Sequence, residues 1–197
     1  MKSIVVQGMS RSKIEQDATS LLKRIQPKAY YEDEATDVEY IFEFYLGDEY
    51  GIKTGYTDLS SLPGDVMGYT DAAKKICLID KTLIDSEFPV TIRRCRSTIG
   101  HEVGHCILHV PAIRDYISCL SRNQADAFHR KEKSQIKAYE DPEWQAWEYA
   151  GALLMPRNRV LKYAEAGLTT KQMADRFDVN GAFMNYRLKH QLKLNPF

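Results

Sequence analysis

The sequence predicts an α+β fold in which a small antiparallel sheet precedes a long, histidine-bearing helix and a bundle of short helices follows. Three observations support this class: helical periodicity before residue 50, short apolar runs separated by Gly and Asp from 51 to 80, and helical patterns bounded by proline from 89 onwards. A chain of 197 residues is long enough for one domain with a substantial core and a small appendage. We therefore predict a main domain at residues 1–156 and a C-terminal helical bundle at residues 157–197.

Two amphipathic helices are predicted before residue 50, because apolar residues recur there at helical spacing. In the first helix they are Ile14, Ala18, Leu21, Leu22 and Ile25, with Ser10 or Ser12 available as the N-cap. In the second helix they are Val38, Ile41, Phe42, Tyr45 and Leu46.

The sheet is predicted between residues 51 and 80. Short apolar runs indicate strands at 52–56, 66–69 and 75–79, and the last two, joined through 70–73, are typical of a β-hairpin. An open edge of this sheet could pair with an extended peptide. A sheet that serves only as scaffold explains the pattern equally well.

The most informative segment is His101-Glu102-Val103-Gly104-His105, which lies in a predicted helix that begins near Pro89 and ends before Pro111. Two histidines four residues apart share one helix face, so both imidazoles can bind one Zn²⁺ ion. The glutamate between them can act as general base. The neighbouring residues are mostly apolar, which argues against two solvated histidines because an unpaired imidazole is costly to bury. Gly104 leaves room for another backbone or helix to approach closely.

A glutamate on a later helix is the predicted third ligand. Asp141 as cap, Pro142 at the first helical position and Pro156 as terminator predict that helix. Glu143 lies at the centre of its apolar face, where a carboxylate needs a partner. That face consists of Ala146, Trp147, Ala150, Leu153 and Leu154, and Gln145 and Glu148 are expected outside it. The alternative is that Glu143 only complements the helix dipole.

His109 is the other candidate ligand, since it follows His105 by one turn. A straight helix carries a third histidine away from the metal, so we expect His109 to contact a ligand or to pack nearby. The metzincin class is excluded, because it requires histidine where this chain has Pro111.

Composition and charge point to a cytoplasmic protein that binds neither membrane nor nucleic acid directly. Lys plus Arg and Asp plus Glu are equal at 27 each, so no bulk charge favours polyanions. The four cysteines form no C-x-x-C pair, and no apolar run is long enough to span a bilayer. Cys106, beside a candidate ligand, is expected to be a buried thiol; a redox-sensitive or metal-binding role is the alternative.

The region after Pro111 offers candidates for stabilising an oxyanion: His129, Tyr139 and Tyr186. The charge-dense segment 122–140 is typical of a solvated helix or loop, although it could also form one wall of a cleft. After Pro156, helical patterns at 158–166, 170–177 and 182–192 predict the bundle, whose last two helices imitate a helix-turn-helix. Its basic residues Arg187, Lys189 and Lys193 could contact phosphate, but packing against the main domain is favoured over DNA binding.

Three motifs together resemble the ImmA/IrrE-type metallopeptidases of bacteria and their mobile elements, such as phages: HEVGHCILH at 101–109, E-x-x-A at 143–146 and ALLMP at 152–156. The resemblance spans roughly residues 35 to 190. It implies a zincin-like fold, Zn²⁺ on His101, His105 and Glu143, and Glu102 as the base. It also implies that the substrate is a DNA-binding, helix-turn-helix repressor. The chain departs from the family at Trp147, where asparagine is common.

The sequence therefore predicts a zinc-dependent endopeptidase that cleaves a specific protein. The alternative is a non-catalytic regulatory, toxin-antitoxin or mobile-element partner protein with a structural zinc. The discriminating residue is Glu102, because a structural site has no use for it. A DNA-binding regulator is less favoured, since the last helix is mixed in charge.

Overall fold

The computed structural model describes residues 2–120, 130–132 and 136–195, and over these it is a mostly helical α+β fold. The strands are β1 (Lys2–Ile4), β2 (Lys53–Thr57), β3 (Gly68–Asp71), β4 (Ile76–Asp80) and β5 (Arg130–Glu132). The helices are α1 (Arg11–Ile25), α2 (Pro27–Tyr31), α3 (Val38–Tyr40), α4 (Leu46–Tyr50), α5 (Lys81–Ile84), α6 (Pro89–Leu108), α7 (Val110–Leu120), α8 (Pro142–Leu154), α9 (Arg157–Glu165), α10 (Thr170–Phe177) and α11 (Gly181–Tyr186). Two π-helical segments, Ile41–Tyr45 and Arg187–Leu192, continue α3 and α11, and a 3₁₀ turn, Ala138–Glu140, precedes α8.

The three-stranded sheet is mixed, with the order β2-β4-β3. The hairpin of β3 and β4 is antiparallel, as predicted, but β2 pairs with β4 in parallel. The prediction of a purely antiparallel sheet was therefore wrong. Residues 58–67 carry the chain across to the far edge of the sheet before β3 begins, so β4 returns in the direction of β2. The separate antiparallel pair of β1 and β5 was not predicted.

The helix predictions around the histidine motif are confirmed. α6 begins at Pro89 and ends at Leu108, and Pro111 follows in the first turn of α7. α8 begins at Pro142, and the Asp141 side chain accepts a hydrogen bond from the backbone N–H of Glu143. The first two helices also form as expected, and Ser10 caps α1.

The close approach of α6 and α8 depends on small residues. A β-carbon at Gly104 would stand only 3.0 Å from Cα and the carbonyl oxygen of Ala146. The same carbon would lie 3.3 Å from Cβ of Tyr149. Gly104 therefore permits the helix contact that the sequence indicated.

α8 is buried on more faces than its apolar pattern predicted. Gln145 and Glu148 were expected outside the buried face, but both are buried, whereas Trp147 is 37% exposed. The reason is that other parts of the fold cover these two side chains: α1 packs beside Glu148, whereas Gln145 is enclosed by His109 and the segments that contain Gln7 and Tyr139. Arg11 of α1 donates two hydrogen bonds to the Glu148 carboxylate, at 2.7 and 2.9 Å, so this buried charge is paired.

The C-terminal helices pack against α6. Arg93 forms ion pairs with Asp175 and Asp178, which belong to α10 and the turn after it. Arg187 was a candidate phosphate contact, but it is fully buried and bonds to Met155 and Glu15. Within the described parts of the chain, every helix is too short or too polar to span a bilayer.

Candidate metal centre

Helices α6 and α8 bring two imidazoles and a carboxylate to one point. The Nε2 atoms of His101 and His105 lie 3.0 Å apart. The Glu143 oxygens lie 3.3 Å from each of these nitrogens. All candidate ligand atoms are within 4.8 Å of one another, so the group has the composition and spacing to hold a metal ion.

Glu143 and His105 shift each other's pKa values. Hydrogen bonds from His101 and then His105 hold the pKa of Glu143 far below its usual range, although partial burial opposes them. Burial alone would lower the pKa of His105, but its hydrogen bond to Glu143 and the charge of Glu102 raise it overall. Glu143 is therefore a carboxylate anion whose negative charge faces both imidazoles.

His109 lies behind His105, outside the group that faces Glu143. Its Nδ1 is 3.0 Å from Nδ1 of His105, and its Nε2 is 3.0 Å from Oε1 of Gln145. The amide nitrogen of Gln145 donates to the backbone carbonyls of Gln7 and Tyr139, at 2.9 and 2.7 Å, so only the amide oxygen is left for His109.

This chain of hydrogen bonds determines which nitrogen of His105 carries a proton. Burial, followed by the neighbouring His105, lowers the pKa of His109 to about 4, so His109 is neutral at pH 7 and has one N–H. That N–H donates to Gln145, so Nδ1 of His109 accepts from Nδ1–H of His105. With Nδ1–H held by His109, the proton that His105 gives up to bind a metal is the one at Nε2, which donates to Glu143 in the metal-free protein. Its loss leaves the Nε2 lone pair directed at the candidate metal group, as a metal ligand requires.

Glu102 is held at the edge of the sheet. Its Oε2 accepts a hydrogen bond of 2.6 Å from the Thr70 hydroxyl, and its other oxygen faces Gly68. The thiols of Cys77 and Cys106 lie 3.4 and 3.9 Å from the same hydroxyl. Both thiols are buried, and contact with Cys106 together with burial raises the pKa of Cys77. A hydroxyl and two buried thiols thus lie behind Glu102.

Trp147 covers the outer side of His101. The two ring centroids are 4.4 Å apart, and the ring of Phe183 in α11 lies 5.6 Å from the indole. Nδ1 of His101 is buried and has no hydrogen-bond partner among the described residues. An aromatic contact therefore replaces the polar contact that usually orients a ligating histidine.

The candidate metal group lies in a cleft of about 700 Å³. Its lining comes from four parts of the fold: the sheet side, α6 with the start of α7, α8, and α11 with the turn before it. The sheet side supplies Asp65, Val66, Met67, Gly68, Tyr69, Thr70 and Ala72; α6 and α7 supply Arg94, Ser97, Thr98, His101, Glu102, His105, Val110 and Ile113, with His109 between them; the C-terminal half supplies Glu143, Trp147, Asn180, Ala182 and Phe183.

Two of the sequence-based candidates for oxyanion stabilisation, Tyr139 and Tyr186, fall outside this lining. The Tyr139 ring lies against Gly8, and the Tyr186 ring lies 5.0 Å from that of His190. His129, and most of the charge-dense segment around it, lie outside the described residues. The sequence analysis missed Thr70, which it placed in the hairpin connection although it lies within β3. It also missed Arg94, whose only signal is its spacing of seven residues from His101.

Comparisons with known proteins agree with this geometry. Among solved structures, the chain is similar to a Mycobacterium tuberculosis transcriptional regulator, with a TM-score of 0.56 and 14% sequence identity. The match covers 89% of this chain but only 46% of that protein, so this chain spans about half of the regulator's length, and the likeness concerns the fold alone. No curated protein matches the chain in sequence. The family model described as the IrrE N-terminal-like domain, of the M78 peptidases, matches residues 47–189. Because this match covers well over half of the 197 residues, the chain belongs to the M78 family of metallopeptidases.

Proposed function

We propose that the protein is a zinc-dependent endopeptidase that cleaves a specific protein substrate, a helix-turn-helix repressor of transcription. One observation carries the peptidase part: His101, His105 and Glu143 meet in an open cleft that is also lined by Glu102, a carboxylate outside the candidate ligand set. A structural zinc site is normally closed by four protein ligands and needs no base. The zincin-like arrangement of sheet, active-site helix and third ligand belongs to this proposal.

The residues present fit Zn²⁺. Two imidazole nitrogens and one carboxylate are a common ligand set of catalytic zinc. The hydrogen bonds through His109 leave the lone pair of His105 Nε2 directed at the group, and Glu143 supplies the negative charge. A Zn²⁺ ion held there would supply Lewis acidity, which polarises a scissile carbonyl and lowers the pKa of water.

Glu102 would move the proton in this reaction. The Thr70 hydroxyl occupies Oε2 and fixes the rotation of the carboxylate, so Oε1 is the oxygen free to accept a proton. Glu102 takes that proton from the attacking water and delivers it to the nitrogen of the leaving amine. The transfer requires no large movement of the side chain, because both events occur on the cleft side of β3.

The sheet supplies a means of holding the substrate. β3 is an edge strand, and Gly68, Tyr69 and Thr70 line the cleft. An extended protein segment can add to such an edge through backbone hydrogen bonds, while apolar pockets select its side chains. This supports a narrow range of protein substrates and little activity on general ones such as casein.

The family supports a repressor as the substrate: the chain matches the IrrE N-terminal-like domain, and the resemblance of its motifs to the ImmA/IrrE-type metallopeptidases implies cleavage of a helix-turn-helix repressor. Such a substrate places the enzyme in the cytoplasm. Direct DNA binding by the enzyme is not part of this proposal, because Arg187 is buried and Asp175 and Asp178 pair with Arg93.

The test uses the zinc-loaded chain, a helix-turn-helix repressor encoded beside it, and an unrelated unfolded protein. We expect cleavage of the repressor alone, and none by Glu102→Gln, which keeps the shape of the side chain but accepts no proton. Equal cleavage of both proteins would indicate a general peptidase. If the zinc-loaded chain bound the repressor without cutting it, the binding-only partner would be the correct function.

A further inference from the structure

Three arginines lie within one turn of α6, and two of them are paired. Arg93 binds Asp175 and Asp178. Arg96 is buried and binds Glu39 at 2.9 Å. Arg94 differs from both: it is exposed, it lines the cleft, and it forms no ion pair with any described residue. The cleft therefore contains a guanidinium that has no ion-pair partner among the described residues.

The position of Arg94 relates it to the candidate metal group. Arg94 precedes His101 by seven residues and His105 by eleven, which are two and three turns, so the three side chains share one face of α6. Two turns correspond to about 10 Å along the helix axis. An extended peptide covers about 3.3 Å per residue. A substrate along this face would therefore meet Arg94 about three residues from the bond at the metal group.

The charges around Arg94 leave it able to bind an anion. Asp65 also lines the cleft, but it is exposed and forms no ion pair with Arg94 or with any other described residue. The carboxylates of Glu102 and Glu143 lie at the metal group, two turns away. Past the other end of α6, after His109, the first turn of α7 adds the apolar side chains of Val110 and Ile113 to the lining. The cleft thus has a cationic end and an apolar end.

We propose that Arg94 determines specificity by binding an acidic side chain of the substrate about three residues from the cleaved bond. The inference rests on the proposed peptidase function and names the substrate class for it. A guanidinium can bind a carboxylate through two parallel N–H···O bonds, which gives direction as well as charge. The apolar end would accept an uncharged residue on the other side of the cleaved bond.

The experiment exposes the zinc-loaded protein to a library of peptides that tile the repressor sequence, with each position varied over all residue types, and the products are sequenced. In parallel, immobilised zinc-loaded Glu102→Gln protein retains peptides from the same library without needing to cut them. Both measurements are repeated with Arg94→Ala, with Arg94→Glu, and with the control Arg157→Ala. Arg157 is also an exposed helical arginine without an ion pair to a described residue, but it lies outside the cleft lining.

We expect Asp and Glu to be enriched at one position near the cleaved bond, and Arg94→Ala to reduce cleavage of these peptides about fivefold. Arg94→Glu should shift the preference towards Lys and Arg, and Arg157→Ala should change nothing. A parental profile without acidic enrichment, or one that survives Arg94→Ala, would overturn the inference. Retention of acidic peptides without any cleavage would support it while refuting the peptidase function, so the two failures are distinguishable. An acidic C-terminus enriched in place of internal Asp and Glu would also overturn it.

Discussion

The carboxylate of Glu102 occupies the space that a side chain on Gly68 would need. A β-carbon there would lie 2.5 Å from Oε1 and 2.7 Å from Cγ of Glu102. We predict that Gly68→Ala displaces the carboxylate from Thr70 and lowers the cleavage rate by about a hundredfold, since a misplacement of about 1 Å costs that much. Metal content should stay unchanged, because the candidate ligands lie elsewhere.

The matched control for this change is Gly181→Ala. A β-carbon at Gly181 meets no atom within 4 Å, so this variant should cleave at the parental rate. Cleavage rate and zinc content are measured on both proteins. Parental activity of Gly68→Ala would show that Glu102 has another productive position and that β3 does not fix the base.

Local signals account for what the sequence predicted well. The spacing of His101 and His105 and the cap at Asp141 act within one helix, so periodicity and capping residues reveal them. The order of the strands is not local, because it depends on the path of residues 58–67. Pattern alone therefore assigned the strands but gave β2 the wrong orientation.

Contacts between elements explain the remaining differences. Gln145 and Glu148 were expected outside the buried face of α8, and one helix viewed alone gives that result. Contacts with other elements bury them: Glu148 pairs with Arg11 of α1, and Gln145 bonds to His109 and to the backbone carbonyls of Gln7 and Tyr139. The sequence also contained no indication of the contact between Thr70 and Glu102, since this hydrogen bond joins residues 32 positions apart.

The two glutamates of α8 should respond differently to substitution. Glu143 is 57% exposed at its side chain and faces the imidazoles, so Glu143→Ala should weaken zinc binding at least tenfold with little loss of stability. Glu148 is buried and holds Arg11, so Glu148→Ala should lower the free energy of unfolding by about 2 kcal/mol while zinc binding persists. Zinc affinity by chelator competition and urea unfolding measure the two effects. Equal loss of zinc from both folded variants would contradict the ligand assignment.

The hydrogen-bond chain behind His105 should tune zinc affinity. His109→Phe keeps a ring of similar size but removes the acceptor for Nδ1–H of His105. We expect zinc affinity to fall 10- to 100-fold, as for other contacts behind a ligand. The substitution also leaves the Gln145 amide oxygen without its hydrogen bond from His109, which should lower the free energy of unfolding by about 1–3 kcal/mol. Parental zinc affinity in a folded His109→Phe protein would show that the tautomer of His105 is fixed in some other way.

Trp147 should report metal binding directly. It is one of two tryptophans in the chain, and its ring lies 4.4 Å from that of His101. A divalent ion bound at His101 becomes the largest charge near the indole, to which its emission is sensitive. We predict that titration with Zn²⁺ changes the fluorescence and saturates at about one equivalent, measured on protein freed of metal by a chelator.

Two variants make this prediction specific to the proposed site. Trp147→Phe leaves Trp144 as the remaining fluorophore, so it should lose the response while still binding zinc. Glu143→Ala keeps the indole but lacks one proposed ligand, so its response should require a higher zinc concentration. A full response in Trp147→Phe would mean that Trp144, which follows the proposed ligand Glu143, is the reporter, and the prediction for Trp147 would then be wrong.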